Sequence, residues 1–357
     1  MHVVVVGGGI MGSAVALALR DRGVDVVLLE RAIPGAEASS AAAGMLGAQL
    51  EAHAARPLVP TFVRARDGYG AWADELRRRT GVDVGHRVSG VLRIATTDDE
   101  ARGLEDEVRW QKDARLHAEF LDSDRALRVE PELTKRVVAA AHFPDDAQVD
   151  PPSLLRALAV ALARAGVDVR SGTTVERIVE RGGRCVGVLL DQGELRADAV
   201  VLAAGSWSSL VPGIPSSMPP VKPARGQMVL LEERPPRVRT IVAGAGTYTV
   251  PRGDGRVLVG STLEFVGFRR EVTAGGVHAI LAGALACVPS LADAQFASSW
   301  SNFRPYSEGP MLGASTLPGL FLATGHHRNG ILLAKHTADV VTDAVLGAPR
   351  ETVTRPK

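Results

Sequence analysis

Cysteine is scarce: Cys185 and Cys287 are the only two in 357 residues, and no C-x-x-C spacing occurs. That excludes a disulfide framework and a cysteine-based metal or redox pair, fits a reducing compartment, and leaves both thiols as small core residues. Neither sign of charge dominates, with 41 Lys and Arg against 40 Asp and Glu and no run of like charge, so the basic surface of a nucleic-acid binder is missing. No apolar stretch reaches the ~18 residues of a membrane span. A first strand starting at residue 2 or 3 leaves no room for a leader. The expectation is a cytoplasmic protein that binds neither nucleic acid nor membrane. Internal repeats and low-complexity segments are also missing. A chain of 357 residues exceeds the ~250–300 over which one core grows, so two domains are expected.

What the sequence does have begins at its start. Val3, Val4, Val5 and Val6 read as a parallel strand covered on both faces, and Gly7, Gly9 and Gly12 follow in G-x-G-x-x-G spacing. The first glycine permits a tight turn, the second lets backbone N–H groups approach phosphate oxygens, and the third lets the next helix pack closely. A helix N-terminus there offers unpaired N–H groups and a positive dipole end, a cradle for a dinucleotide pyrophosphate. Residues 13–20 continue as an Ala- and Leu-rich helix, Gly23 stops it, and 24–29 read as a second strand closed by Glu30. An acidic side chain at that point accepts hydrogen bonds from a ribose and repels a 2′-phosphate.

Residues 36–47 are small and form neither a strong strand nor an amphipathic helix; a buried Ala-rich turn and a close backbone approach to a ligand both fit. A polar, Arg-rich helix is expected over 60–79, a strand over 90–95 and a charged surface helix over 98–112. A second α/β pattern opens near Pro151 with a helix from Ser153 to a stop at Gly166, then strands over 167–170, 174–180, 185–190 and 197–203, with Gly182 and Gly183 as a hairpin turn. Prolines cluster over 212–223, the expected crossing into a second domain. Strands over 227–231, 247–251 and 256–260 suggest an antiparallel meander backed by a helix over 275–287, before 320–325 and a helix from Gly330 to about Leu346 return to nucleotide-domain character. The expected fold is α/β: a discontinuous Rossmann-like nucleotide domain (1–84, 145–220, 300–357) with an inserted α+β substrate domain on an antiparallel sheet (85–144, 221–299).

The glycine elbow, S-A-A-A-G-M-L-G-A over 40–48, A-A-G-S-W over 203–207, Y-T-V-P-R over 248–252, F-R-P over 303–305 and G-H-H-R-N-G-I-L-L-A over 325–334 together resemble the D-amino-acid oxidase-like family of FAD enzymes, in particular its glycine-oxidase branch. The resemblance spans nearly the whole chain. It implies a noncovalent FAD, since the cysteine that carries flavin in sarcosine oxidases has no evident counterpart. Gly7, Gly9, Ile10, Met11 and Gly12 then take the pyrophosphate, Glu30 and Arg31 the adenosine ribose, Ala38 and Ser39 the phosphate region, and Val175 the adenine. Ala43, Gly44 and Met45 line the isoalloxazine ring, while His326, His327, Arg328, Asn329, Gly330, Ile331 and Leu332 wrap its pyrimidine side. A helix dipole beginning at Gly330 suits negative charge at the flavin N1/C2=O edge.

The same resemblance implies that Arg304 clamps the substrate carboxylate, that Tyr248 hydrogen-bonds it, and that Arg328 lies nearby, either contacting substrate or bracing the flavin loop. From the residues alone Arg304 fits a surface arginine better than a clamp, and Tyr248 equally fits an ordinary strand aromatic. Adjacent His326 and His327 point in different directions, which disfavours an acid/base pair. The implied activity is oxidation of the Cα–N bond of glycine, sarcosine or a small D-amino acid by hydride transfer to flavin, yielding an imine, then oxo acid and ammonia, and hydrogen peroxide from oxygen. A role in thiamine-thiazole synthesis and a homotetramer are also implied. Leu263, Gly246 and Thr247 replace a methionine, a histidine and a cysteine of the branch, changes expected to enlarge or dry the pocket. The alternatives are a D-amino-acid dehydrogenase passing electrons to quinone and a noncatalytic dinucleotide sensor. No metal site is expected.

Overall fold

A computed structural model describes residues 1–52 and 56–348; the expected domain tail beyond 348 lies outside the described residues. The four buried valines form the strand His2–Val6, and Gly9 caps the helix Ile10–Asp21 that leaves the elbow. The helix ends before Gly23, whose φ of +78° favours glycine. Asp25–Leu29 then lies parallel to His2–Val6 with Val4 opposite Val27. Burying each such valine contributes about 1.5–3 kcal/mol relative to exposure.

Five parallel strands, in the order Leu320–His326, Ala199–Leu202, His2–Val6, Asp25–Leu29 and Asp168–Arg170, form one end of a 13-stranded sheet. Helices Ile10–Asp21, Pro151–Arg164 and Gly330–Val345 pack on one face of it over a core that includes Val3, Val5, Leu28, Leu154 and Leu333. The other end is mainly antiparallel and includes Val91–Ala95, Thr247–Pro251, Arg256–Gly260 and Lys222–Glu232, with the helix Ala274–Cys287 behind. One long strand, Gln295–Ala314, is antiparallel to both Lys222–Glu232 and Leu320–His326, so it joins the two ends.

Three expectations are corrected. The single helix over 60–79 is two, Val59–Asp67 and Tyr69–Thr80, broken at Gly68. Glycine weakens the helix there, and Tyr69 turns inward so that its hydroxyl donates to the Ile331 carbonyl at 3.1 Å. The helix expected from Ser153 begins at Pro151, because two prolines fit a first turn that Asp150 caps through the Ser153 N–H at 3.2 Å. The strand expected from Thr174 begins at Arg177, since Thr173 N donates to the Glu30 carbonyl at 2.9 Å and ties the preceding segment to the end of Asp25–Leu29.

Candidate active site

The elbow is closed to any side chain at its first and third glycines. Gly7 has φ +105°, and a Cβ there lies 2.5 Å from the Ala203 carbonyl oxygen; a Cβ on Gly12 lies 1.8 Å from the Gly7 oxygen. Backbone thus packs on backbone, and Gly9 at the N-cap of Ile10–Asp21 brings no side chain to cap the first turn. Two side chains already engage this turn: Glu30 accepts from Gly8 N at 2.8 Å and Ala32 N at 3.0 Å, and the Ser39 hydroxyl accepts from Ile10 N at 2.9 Å.

From the elbow a cavity of ≈ 350 Å³ runs across the sheet to Arg304. Its near wall holds Gly7, Gly9, Ile10, Met11, Glu30 and Arg31, with Ala38, Ser39 and Val175 beside them. Its middle is lined by Ala43, Gly44 and Met45, opposite His326, His327, Gly330 and Ile331. Tyr248, Arg304 and Arg328 close the far end. Three residues expected at the cofactor stand behind this wall: Gly12 packs under the elbow, Leu332 is in the core at 1 % exposure, and Asn329 caps Gly330–Val345.

At the far end the sheet register builds the site. Tyr248 and Met228 both face Gly260, and the Tyr248 hydroxyl reaches across to Met228 Sδ at 3.4 Å. Arg304 pairs with Ala224 on the neighbouring strand; Gly226, two residues on and therefore on the same face, has no side chain to meet the guanidinium. Arg304 donates to the Thr262 carbonyl at 3.1 Å and the Ser261 hydroxyl at 2.6 Å, neither of them a carboxylate. Burial lowers its pKa, with Arg328 adding to the effect and Tyr248 and Glu51 opposing it. Arg328, by contrast, pairs with Glu51 through Nη2 at 2.9 Å and Nε at 3.0 Å. Burial disfavours its cation, but Glu51 and Tyr248 leave the net shift upward.

The two histidines diverge, as their adjacency implies. His326 is 3 % exposed and shares a 2.9 Å hydrogen bond with the Thr337 hydroxyl; burial holds its pKa down to about 3. His327, at φ +49°, stacks edge-on against Tyr306, and burial with Arg304 and Arg328 lowers it to about 4. Both are neutral imidazoles at neutral pH.

Several wall residues carried no signal in the sequence. Glu51, which pairs with Arg328, follows a stretch of small residues with no motif of its own. Gly226 lies mid-strand, where an isolated glycine hints at a close approach. Trp207, in a recognised motif but without an assigned role, lies under the Arg31 guanidinium at 3.9 Å, and Arg31 also pairs with Glu37 at 3.0 Å. The three departures do not shape the wall as expected. Leu263 is 50 % exposed, Thr247 Oγ1 turns to the Gly244 carbonyl, and neither they nor Gly246 line the cavity.

A glycine cradle at a helix N-terminus, opening into a long and largely apolar groove with a half-buried cation at its end, fits a dinucleotide cofactor beside a carboxylate substrate. Cys185 and Cys287 are buried and free, both off the cavity wall. Among the described residues no cluster of His, Cys, Asp and Glu could hold a metal, and no helix is long and apolar enough to cross a membrane. The chain is similar to glycine oxidase of Geobacillus kaustophilus, with 39 % identity over 96 % of this chain and 92 % of that protein. The crystal structure of glycine oxidase from Geobacillus kaustophilus superposes with a TM-score of 0.93 at 37 % identity, over 99 % of this chain and 98 % of that one. The bifunctional protein ThiO/ThiG of Synechocystis is 36 % identical over 96 % of this chain, which spans 51 % of that longer protein. The FAD dependent oxidoreductase profile matches residues 2–344, and the chain belongs to that family.

Proposed function

We propose that the protein is a flavin amine oxidase that acts on glycine or a similarly small amino acid and uses oxygen as electron acceptor. The carrying observation is Arg304: a half-buried guanidinium with no carboxylate bonded to it, at the far end of the cavity that the glycine elbow opens. Bound FAD would supply the two-electron acceptor for oxidation of the Cα–N bond, with oxygen as the final oxidant, and the amino acid would leave as an imine that water converts to oxo acid and ammonia.

Residues of this chain do the rest. Gly7, Gly9, Ile10 and Met11 hold the pyrophosphate, Glu30 the ribose, and Ala43, Gly44 and Met45 the isoalloxazine ring. Arg304 and Tyr248 bind the substrate carboxylate and fix the direction of Cα. His326 and His327, held neutral, add no charge there. Arg304 and Arg328 against Glu51 leave one net positive charge, matched to one carboxylate.

Residues 1–84, 145–220 and 300–357 make up the FAD-binding unit and 85–144 and 221–299 the substrate unit in this reading. The segregation of parallel from antiparallel strands supports it. Similarity to the ThiO/ThiG protein supports delivery of the imine to thiazole synthesis, and the assembly expected is a homotetramer, which sedimentation checks. Anaerobic titration with glycine, sarcosine and D-alanine should bleach the flavin band, and the same reaction in air should release one hydrogen peroxide per amine. No bleaching by any of them refutes amine oxidation. Bleaching with slow reoxidation by oxygen but fast reoxidation by a quinone refutes the oxidase.

A further inference from the structure

Arg252 follows the strand Thr247–Pro251 and is 7 % exposed. Its Nη2 donates to the Ala43 carbonyl at 2.6 Å, its Nη1 donates to Gln148 Oε1, and Asp150 lies 3.8 Å from Nε. Burial pushes its pKa down to about 10. A cation kept from water thus ties the side chains of Gln148 and Asp150 to one backbone carbonyl. That carbonyl belongs to the wall segment of Ala43, Gly44 and Met45.

The rest of the segment is held in the same sense. Trp300 Nε1 donates to the Ala41 carbonyl at 3.1 Å, and Val149 N donates to the Gly44 carbonyl at 2.9 Å. Gly44 has φ +78°, and a Cβ there lies 2.2 Å from the Val149 oxygen, so the backbone is pressed against its support. A trans peptide sets N–H opposite to C=O. With the Ala41 and Ala43 carbonyls drawn back, the N–H groups of Ala42 and Gly44 face away from Arg252 and Trp300.

We propose that Arg252 is a positioning residue for the flavin: its grip on the Ala43 carbonyl presents the Gly44 N–H as a donor to the ring, and its charge, one hydrogen bond behind the wall, favours the reduced, more negative flavin. This rests on the placement of FAD proposed above. The test compares the holoproteins of Arg252→Met, Arg252→Lys and Gly44→Ala with wild type by midpoint potential, visible spectrum and FAD titration of the apoprotein. Arg252→Met is expected to lose about tenfold in preference for reduced over oxidised flavin, ~30 mV for two electrons, with a shifted flavin band. Arg252→Lys, which keeps the charge but not the fork, should fall between, and it carries the test if Arg252→Met does not fold. An unchanged potential and spectrum in the Arg252 variants, beside a shift in Gly44→Ala, overturns the role of Arg252. Unchanged flavin in Gly44→Ala as well overturns the placement of FAD itself.

Discussion

Gly226→Ala places a single methyl group where the substrate clamp now lies. The added Cβ falls 2.3 Å from both Nη atoms of Arg304 and 2.5 Å from its Cζ, so the guanidinium must withdraw by about 1 Å to restore van der Waals contact. The strand itself tolerates alanine, because Gly226 is not among the positive-φ glycines. A displacement of that size breaks the alignment of two charge-assisted hydrogen bonds to the substrate carboxylate. Each is worth about 1.5–3 kcal/mol, and losing the equivalent of one lowers kcat/KM by roughly 10- to 150-fold. Steady-state peroxide production with glycine measures the loss, while FAD content and Tm check that the cofactor cradle and fold persist. In an Arg304→Ala background the methyl has nothing to displace, so Gly226→Ala should cost no more there. A kcat/KM within twofold of wild type, or equal losses in both backgrounds, refutes Arg304 as the clamp.

Glu51→Gln releases Arg328 from its 2.9 Å ion pair and raises the net charge at the far end by one. A dicarboxylate amine such as iminodiacetate should then gain on glycine by roughly tenfold in KM, the size of a partly screened charge interaction; an unchanged ratio of the two KM values counts against the charge-matching argument. Gly12→Ala forces a Cβ to 1.8 Å from the Gly7 oxygen. The elbow must open, at a cost of about 1–3 kcal/mol, and FAD titration should show at least tenfold weaker binding, with wild-type affinity contradicting the close approach. Asp146, fully buried beside Arg66, has its pKa raised by burial to about 6 from an ordinary 3.8. Its contribution to stability is therefore present below the ordinary aspartate range and lost as pH rises through about 6, a loss of order 3 kcal/mol by neutral pH. Asp146→Asn cannot ionise, so its Tm relative to wild type should improve between about pH 4 and 6 and level off above, and a constant difference across that window would overturn the assignment.

The parts of this site legible in the sequence are those whose chemistry is local. An apolar strand, three spaced glycines and an acidic residue at the next strand end are contiguous, and each was assigned from its own neighbours. Arg304 and Tyr248 were readable only through family resemblance, because nothing near either in the chain distinguishes a clamp from a surface arginine or an ordinary aromatic. Glu51 gives no usable signal and Gly226 only the hint of an isolated strand glycine, since their roles arise when strands or loops far apart in the chain meet at Arg328 and Arg304. The strand Gln295–Ala314 was hidden for a different reason: Pro305, Gly309 and Gly313 interrupt its pattern, and its ladder shifts between Tyr306 and Met311. The break at Gly68 shows the converse, a helical composition overridden by the burial of Tyr69.

That hidden strand also explains how a clamp and a cofactor cradle from distant parts of the chain keep a fixed spacing. Tyr306, two residues beyond Arg304, pairs with His326 at the end of the parallel strand that leads to Arg328 and Gly330, while Arg304 pairs with Ala224 on the other side. Substrate clamp and flavin wall are therefore adjacent rungs of one hydrogen-bonded sheet. Their separation is set by β geometry, about 4.8 Å per strand and 3.4 Å per residue, rather than by closure of a loop. The irregular pairing after Tyr306 absorbs the mismatch between the two ends of the strand without disturbing the rungs that carry Arg304. A one-residue slip upstream of that bulge turns Arg304 to the opposite face of the sheet and moves the cation out of the cavity altogether.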